Sequence, residues 1–276
     1  MHINLLGARV DAVDLAGAVE KVAAFVAAGH PHQVITLNPE ILYRAQKEPE
    51  LLDLINRADL VTADGIGIVW AAKVAGTPVP ERVTGIDLML ALVERAAREG
   101  WRIFLLGAAP GVAEEAARRL QEKHPGLVVA GTQHGYFRPG AGEAGGEAAF
   151  TAPGRAPVAS SGDGGRPGEP RVPTEGEVVE QIRRARPDLL FVALGAPKQE
   201  QFIDRYKEVL GVPVAMGVGG SFDVIAGRVA RAPEWMRRLH LEWLGRLIRE
   251  PRRWRRMLVL PRFAWLVWRR ARPAGR

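Results

Sequence analysis

The chain has 276 residues, 47% of them hydrophobic and 25% charged, with no cysteine. This composition excludes whole-chain disorder and fibrous repeats, and the missing cysteine excludes a disulfide framework, cysteine-based metal sites and a thiol nucleophile. The formal net charge of +7 is unevenly placed: Arg228 to Arg276 holds 15 Arg, no Lys and 3 Glu, a surplus of +12, whereas the residues before it carry −5.

In chain order, the N-terminus MHINLLGARV has no basic region and no long apolar core, so no secretory signal is expected. Asp14 is placed to cap a helix running through Ala28. His32–Leu37 reads as a short buried strand. The polar run Thr36-Leu37-Asn38-Pro39-Glu40 that ends it either caps the next helix or presents its polar groups to a phosphate or sugar. A second strand, Leu60–Thr62, leads into Ala63-Asp64-Gly65-Ile66-Gly67. A carboxylate at a strand end can serve as a general base or as a helix cap, and no third glycine completes a dinucleotide fingerprint. Helical spacing over Asp87–Glu99 precedes the strand Arg102–Leu106 and the glycine-rich turn Gly107–Gly111. Helical spacing over Gly111–Glu122 precedes a strand at Leu127–Val129.

Residues 139–174 break this alternation with 9 Gly, 7 Ala and 6 Pro in 36 residues. That composition buries too little apolar surface to offset its ordering entropy, and a disordered insertion is expected. The alternation resumes with a helix at Glu175–Ala185 and a strand at Leu189–Leu194. The polar cluster Gly195-Ala196-Pro197-Lys198-Gln199-Glu200 follows, then a strand at Pro213–Met216 and the segment Gly217–Asp223. From Arg231 onward the composition changes. Pro233–Arg249 reads as an amphipathic helix, and Pro251 and Pro261 each open another.

Short apolar strands alternating with helices predict an α/β fold: a Rossmann-like parallel sheet covered by helices, with a basic helical C-terminal appendage. Residues 1–230 form the expected catalytic domain and 231–276 the appendage. Ligands of such sheets sit at the carboxyl ends of the strands, where the segments just named fall. The appendage contains Trp235, Trp243, Trp254, Trp265 and Trp268. Arg together with Trp points to a membrane surface as partner, with nucleic acid as the competing reading and a solvated helical face as the plain one. No stretch reaches the ~18 apolar residues of a spanning helix, so a cytosolic protein with peripheral membrane contact is expected. HExxH, GxSxG, GxxxxGK[ST] and Asp-x-Asp are all absent, and the six His form no metal-spaced set. Neither a metal nor a cofactor is expected.

The segments TLNPE, ADGIGIVW, ERVTGIDL, FLLGAAPGVAEEA, GYF, LGAPKQE, GVGGSFDVIAG and RAPEWMRRLHLEWLGRLIREPRRWRRM, in this order, resemble the WecG/TagA/CpsF glycosyltransferases from about residue 5 to 262. The insertion is the main departure. The resemblance implies inverting, metal-independent transfer of N-acetylmannosamine from UDP-N-acetylmannosamine (UDP-ManNAc). The implied acceptor is undecaprenyl-diphosphate-linked N-acetylglucosamine, at the inner face of the membrane, in teichoic acid or related surface polymer synthesis. By the same resemblance Asp64 is the base. Thr36 and Asn38 contact the sugar or acceptor, and Arg82 and Gln199 line the pocket. Asp223 holds the uridine end, Tyr136 stacks near uracil, and Arg246, Arg253 and Arg256 bind the diphosphate. The alternatives are another donor (UDP-N-acetylmannosaminuronic acid or UDP-glucose), a catalytically inactive nucleotide-sugar sensor and a nucleic-acid-binding protein, although nucleic acid is not the expected partner. A homo-oligomer formed through the apolar residues of the appendage is a further alternative.

Overall fold

A computed structural model describes residues 1–138, 172–231, 233, 236 and 258–271. The N-terminal hairpin consists of β1 (His2–Leu5) and β2 (Ala8–Asp11), paired antiparallel. The main sheet has six parallel strands: β3 (His32–Leu37), β4 (Leu60–Ala63), β5 (Arg102–Gly107), β6 (Val128–Gln133), β7 (Leu189–Ala193) and β8 (Val214–Gly217). Their order across the sheet is β4-β3-β8-β7-β5-β6. The helices are α1 (Leu15–Ala28), α2 (Pro39–Ala45), α3 (Pro49–Arg57), α4 (Ile66–Val74), α5 (Gly85–Glu99), α6 (Val112–Lys123), α7 (Glu175–Ala185), α8 (Lys198–Leu210), α9 (Ser221–Ile225) and α10 (Val259–Ala271).

β3, β4, β5, β7 and β8 are largely apolar and buried because both faces of the sheet are covered, whereas β6, at the edge, is only partly buried. Their alternation sorts the side chains. Ile103 and Leu105 of β5, with Leu189 and Phe191 of β7, join α1, α5, α6 and α9 on one face. Phe104, Leu106, Leu190 and Val192 join α7 and α8 on the other. Towards the β4 edge, Ile35, Leu37, Val61 and Ala63 pack with the hairpin, α2, α3, α4 and α10. The hairpin is fastened by Asp11, buried with 2% of its side chain exposed. Its Oδ1 accepts from Arg9 at 3.2 Å and Lys21 at 3.1 Å, and its Oδ2 accepts from Val61 N–H of β4 at 3.0 Å.

The α/β fold with a parallel sheet follows the sequence expectation closely. Asp14 accepts from Gly17 N–H at the start of α1, and Thr174 and Glu177 form a reciprocal capping box at the start of α7. β6 extends to Gln133, four residues past the expected strand. The hairpin was not expected, because its four-residue strands carry His, Asn, Arg and Asp. α10 begins at Val259, two residues before the expected start at Pro261. Proline is tolerated there because first-turn N–H groups have no intrahelical partner.

Most of the expected insertion lies outside the described residues. Its flanks meet: Arg138 N–H donates to Pro173 O and Glu175 N–H to Arg138 O, both at 2.8 Å. The appendage helices expected from Pro233 and Pro251 also lie, apart from Pro233 and Met236, outside the described residues.

Candidate active site

β3 and β4 run in register, with Thr36 beside Thr62 and Leu37 beside Ala63, so their polar ends emerge together. The chain continues from β4 into Asp64, whose N–H extends the ladder to Leu37 O at 2.8 Å. The Asp64 carboxylate turns to the N-terminus of α5, where Gly85 N–H donates to its Oδ2 at 3.2 Å. A helix N-terminus favours a negative charge in this position. Thr36, buried on β3, converges on the same glycine. A Cβ at Gly85 would stand 3.1 Å from Thr36 Oγ1 and 3.8 Å from Asp64 Oδ2. Thr36 and Asp64, distant in sequence, thus share one wall of a site.

Asn38 has a structural task. Its Oδ1 accepts from Ile41 N–H at 3.0 Å and caps α2, one of the two roles its position allowed. The glycines after Asp64 also have structural reasons. Gly65 adopts φ +93°, and a Cβ on Gly67 would meet Pro39 Cγ at 2.6 Å. The close crossing of α4 over α2 therefore requires glycine at 67.

Arg82 lies just before α5, half-buried. Asp87 sits in the first turn of α5, where Thr84 Oγ1 donates to its Oδ2 at 2.6 Å and Arg231 pairs with its Oδ1. Burial alone would raise the Asp87 pKa. The hydrogen bonds from Thr84 and Arg231 and the charges of Arg231 and Arg82 outweigh it and hold the carboxyl below its ordinary value. The Asp87–Arg231 pair was missed in the sequence. The Thr-x-x-Asp spacing of Thr84 and Asp87 is a capping signal legible there, but Arg231 is 144 residues away.

Gln199 is buried in the first turn of α8. Its Nε2 donates to Glu200 Oε1 at 2.8 Å, and its Oε1 accepts from Gly219 N–H at 3.0 Å. It thereby braces the turn between β8 and α9, and Asp223 stands half-buried in the first turn of α9. Tyr136 follows β6, with its N–H on His134 Nδ1 at 3.2 Å and its ring edge-on to His134. Gly135 N–H reaches Ala108 O at 2.9 Å, which brings this loop to the end of β5. The structure brings Thr36, Asp64 and the start of α5 together and places Gln199, Asp223 and Tyr136 along the same carboxyl edge of the sheet. Arg246, Arg253 and Arg256 lie outside the described residues.

Beside this edge, α10 packs on α2 and α4 through the buried Phe263 and Val267. It turns Arg262, Trp265, Trp268, Arg269 and Arg270 outward. Trp265 is 57% and Trp268 48% exposed, and the Arg269 guanidinium lies over the Trp265 ring, 5.0 Å from its centroid. On α4, Ile66, Trp70 and Val74 are also exposed. Among the described residues no helix is long and apolar enough to cross a membrane.

The chain matches the model of the Glycosyl transferase WecG/TagA/CpsF family over residues 3–276. It is 35% identical over 243 residues to an N-acetylglucosaminyldiphosphoundecaprenol N-acetyl-beta-D-mannosaminyltransferase of Bacillus spizizenii, covering 88% of this chain and 81% of that protein. A Bacillus subtilis protein of the same name is 35% identical over 234 residues, 85% of this chain and 78% of its own. A Staphylococcus aureus protein, again of that name, is 31% identical over 268 residues, 96% of this chain and 91% of its own. With a parallel α/β sheet, polar residues gathered at its carboxyl edge and a match over nearly its whole length, the chain belongs to the WecG/TagA/CpsF family of glycosyltransferases.

Proposed function

We propose that this enzyme transfers N-acetylmannosamine from UDP-ManNAc to N-acetylglucosamine carried on undecaprenyl diphosphate. The relatives at 31–35% identity are named for N-acetylmannosaminyl transfer to N-acetylglucosaminyldiphosphoundecaprenol, and the observation that carries the reading to residues is the placement of Asp64. It sits at a strand end, at the carboxyl edge where ligands of such sheets bind, with one carboxylate oxygen held by Gly85 N–H. Asp64 takes the proton of the attacking acceptor hydroxyl. That oxygen bonds to the anomeric carbon of the donor sugar from the face opposite UDP. The bond from the anomeric carbon to the phosphate oxygen breaks, and UDP leaves with the electron pair, so the configuration inverts.

Thr36 and Asn38 flank the acceptor side and Arg82 the pocket wall. Gln199 lines the pocket, Asp223 takes the uridine end and Tyr136 the uracil face. Arg246, Arg253 and Arg256 neutralise the diphosphate, the task of a metal in enzymes with an Asp-x-Asp pair, which this sequence lacks. Arginine suits it through its fixed, planar donors. The two-domain division at residue 230 belongs to the same reading, with 231–276 as a basic appendage facing the membrane.

The outward Trp and Arg residues of α10 support peripheral attachment at the cytoplasmic face, where the lipid-linked acceptor is held. The product would enter teichoic acid linkage-unit or related surface polymer synthesis. The test is UDP release with a short-chain lipid-diphosphate-N-acetylglucosamine, comparing UDP-ManNAc with UDP-N-acetylmannosaminuronic acid and UDP-glucose. Acceptor-dependent release with UDP-ManNAc alone is expected; release only with another donor overturns the choice of sugar and leaves the family assignment intact.

A further inference from the structure

Asp11 and Glu200 are the two most deeply buried acidic residues among the described ones, and they are solvated by protein in opposite ways. Asp11 receives three donors. Glu200, in the first turn of α8 and 1% exposed, has one: its Oε1 accepts from Gln199 Nε2 at 2.8 Å. Its Oε2 has no hydrogen-bond partner among the described residues. A carboxylate in that setting would be a buried charge with neither counter-ion nor a full set of donors. Burial accordingly pushes the Glu200 pKa up, against the opposing pull of the Gln199 hydrogen bond. Its carboxyl oxygen Oε1 is the one in use.

What that oxygen holds is the amide of Gln199. An amide has two N–H donors and two acceptor lone pairs, and its two ends are easily interchanged by rotation. Here Glu200 takes one N–H, and Gly219 N–H takes one lone pair at 3.0 Å. The amide lies so close on the last residue of β8 that a Cβ on Gly217 would stand 2.4 Å from Gln199 Nε2 and 2.8 Å from its Cδ. The directions of the remaining N–H and lone pair of this buried amide are fixed by these two neighbours. The same turn of α8 is tied to β3, since Gln33 Nε2 donates to the Glu200 carbonyl oxygen at 3.0 Å.

We propose that Glu200 is a positioning residue: its buried carboxyl sets the Gln199 amide, and through it the Gly217–Gly219 turn, in the orientation met by the nucleotide-sugar donor. The inference rests on the reading of Gln199 as a pocket residue. It separates a role exerted through Gln199 from a role in holding the fold.

The full-length enzyme is assayed with UDP-ManNAc and a short-chain acceptor as wild type, Glu200→Gln, Glu200→Leu, Gln199→Ala and the double variant Gln199→Ala/Glu200→Leu. Leucine fills the volume without accepting a hydrogen bond, and glutamine restores the acceptor. Glu200→Leu is expected to lower kcat/KM for the donor about tenfold, the worth of roughly one good hydrogen bond. Glu200→Gln is expected to stay within about twofold of wild type, and the double variant within about twofold of Gln199→Ala alone. Additive losses in the double variant, or a Glu200→Gln variant as impaired as Glu200→Leu, overturn the proposal. Failure of both Glu200→Leu and Glu200→Met to fold also overturns it, because Glu200 would then hold the fold itself.

Hydrogen exchange of the peptide carrying Gly219 supplies a readout without turnover. Glu200→Leu and Gln199→Ala should accelerate it equally and Glu200→Gln should not; unequal acceleration counts against the proposal. Should the wild type transfer no sugar, the functional reading fails while this exchange comparison still decides the positioning role.

Discussion

Asp64 and Glu200 show how local surroundings assign two carboxyl groups to different work. On the proposed reading Asp64 is the base, ending a strand against a helix N-terminus where Gly85 N–H donates to its carboxylate. Glu200 lies in the interior, where burial raises its pKa against the pull of its hydrogen bonds. The second case has a measurable consequence. The unfolded chain gives up this proton near the ordinary value of 4.5, whereas the folded chain retains it to higher pH. Folding is therefore progressively penalised as pH rises from that value through the raised one. Glu200→Gln removes the penalty, so thermal unfolding should show a variant more stable than wild type at pH 7, with a smaller gain at pH 4. An equal gain at both pH values would show that folding does not raise the Glu200 pKa. Asp64 could be read from its strand-end position. Glu200 could not, because a glutamate in the helical text PKQEQFIDRYKEVL has the look of a solvated face, and only the packing of α8 on β3 and β8 buries it.

Among the elements, the parallel strands other than β6 were the most legible, because burial on both faces makes each a largely apolar run. Helix starts marked by Asp14 and Thr174 were equally plain, since their caps are local chemistry. What sequence could not give was any element fixed by distant partners. The β1–β2 hairpin depends on Asp11, which joins Arg9, Lys21 and the Val61 amide 50 residues on. Burial opposes the Asp11 charge, but the bonds from Val61, Lys21 and Arg9 outweigh it and lower the pKa from its ordinary 3.8. An acid with a depressed folded pKa stabilises the protein above its unfolded value, and the stability is lost as pH falls through the folded one. Asp11→Asn should therefore cost about 1–3 kcal/mol at neutral pH. Its deficit against wild type in urea unfolding should shrink below about pH 4. A deficit that stays constant into acid would mean that the charge of Asp11 contributes nothing. The start of α5 belongs to the same class. Thr84 and Asp87 announce a cap, while Arg231, which completes the cluster, comes from the root of the appendage.

For the whole molecule, the charge division legible in the sequence gains a surface: α10 buries Phe263 and Val267 and turns Trp265, Trp268 and three arginines outward. On the proposed reading that face rests on an anionic leaflet. Trp265→Ser/Trp268→Ser should then weaken binding to phosphatidylglycerol vesicles by roughly thirtyfold, the loss of two aromatic anchors worth about a kilocalorie each. Unchanged binding in a sedimentation assay would assign the tryptophans to another partner, a second copy of the chain included. The account as a whole stands on the chemistry assigned to Asp64. Its most direct test is acceptor-dependent UDP release from UDP-ManNAc with the short-chain lipid-diphosphate acceptor and EDTA present, comparing wild type with Asp64→Asn. The account predicts turnover by the wild type that survives EDTA. It also predicts a fall of about 100-fold or more in kcat for the variant, as expected on losing a general base, with UDP binding unchanged. Turnover by Asp64→Asn at the wild-type rate would contradict it.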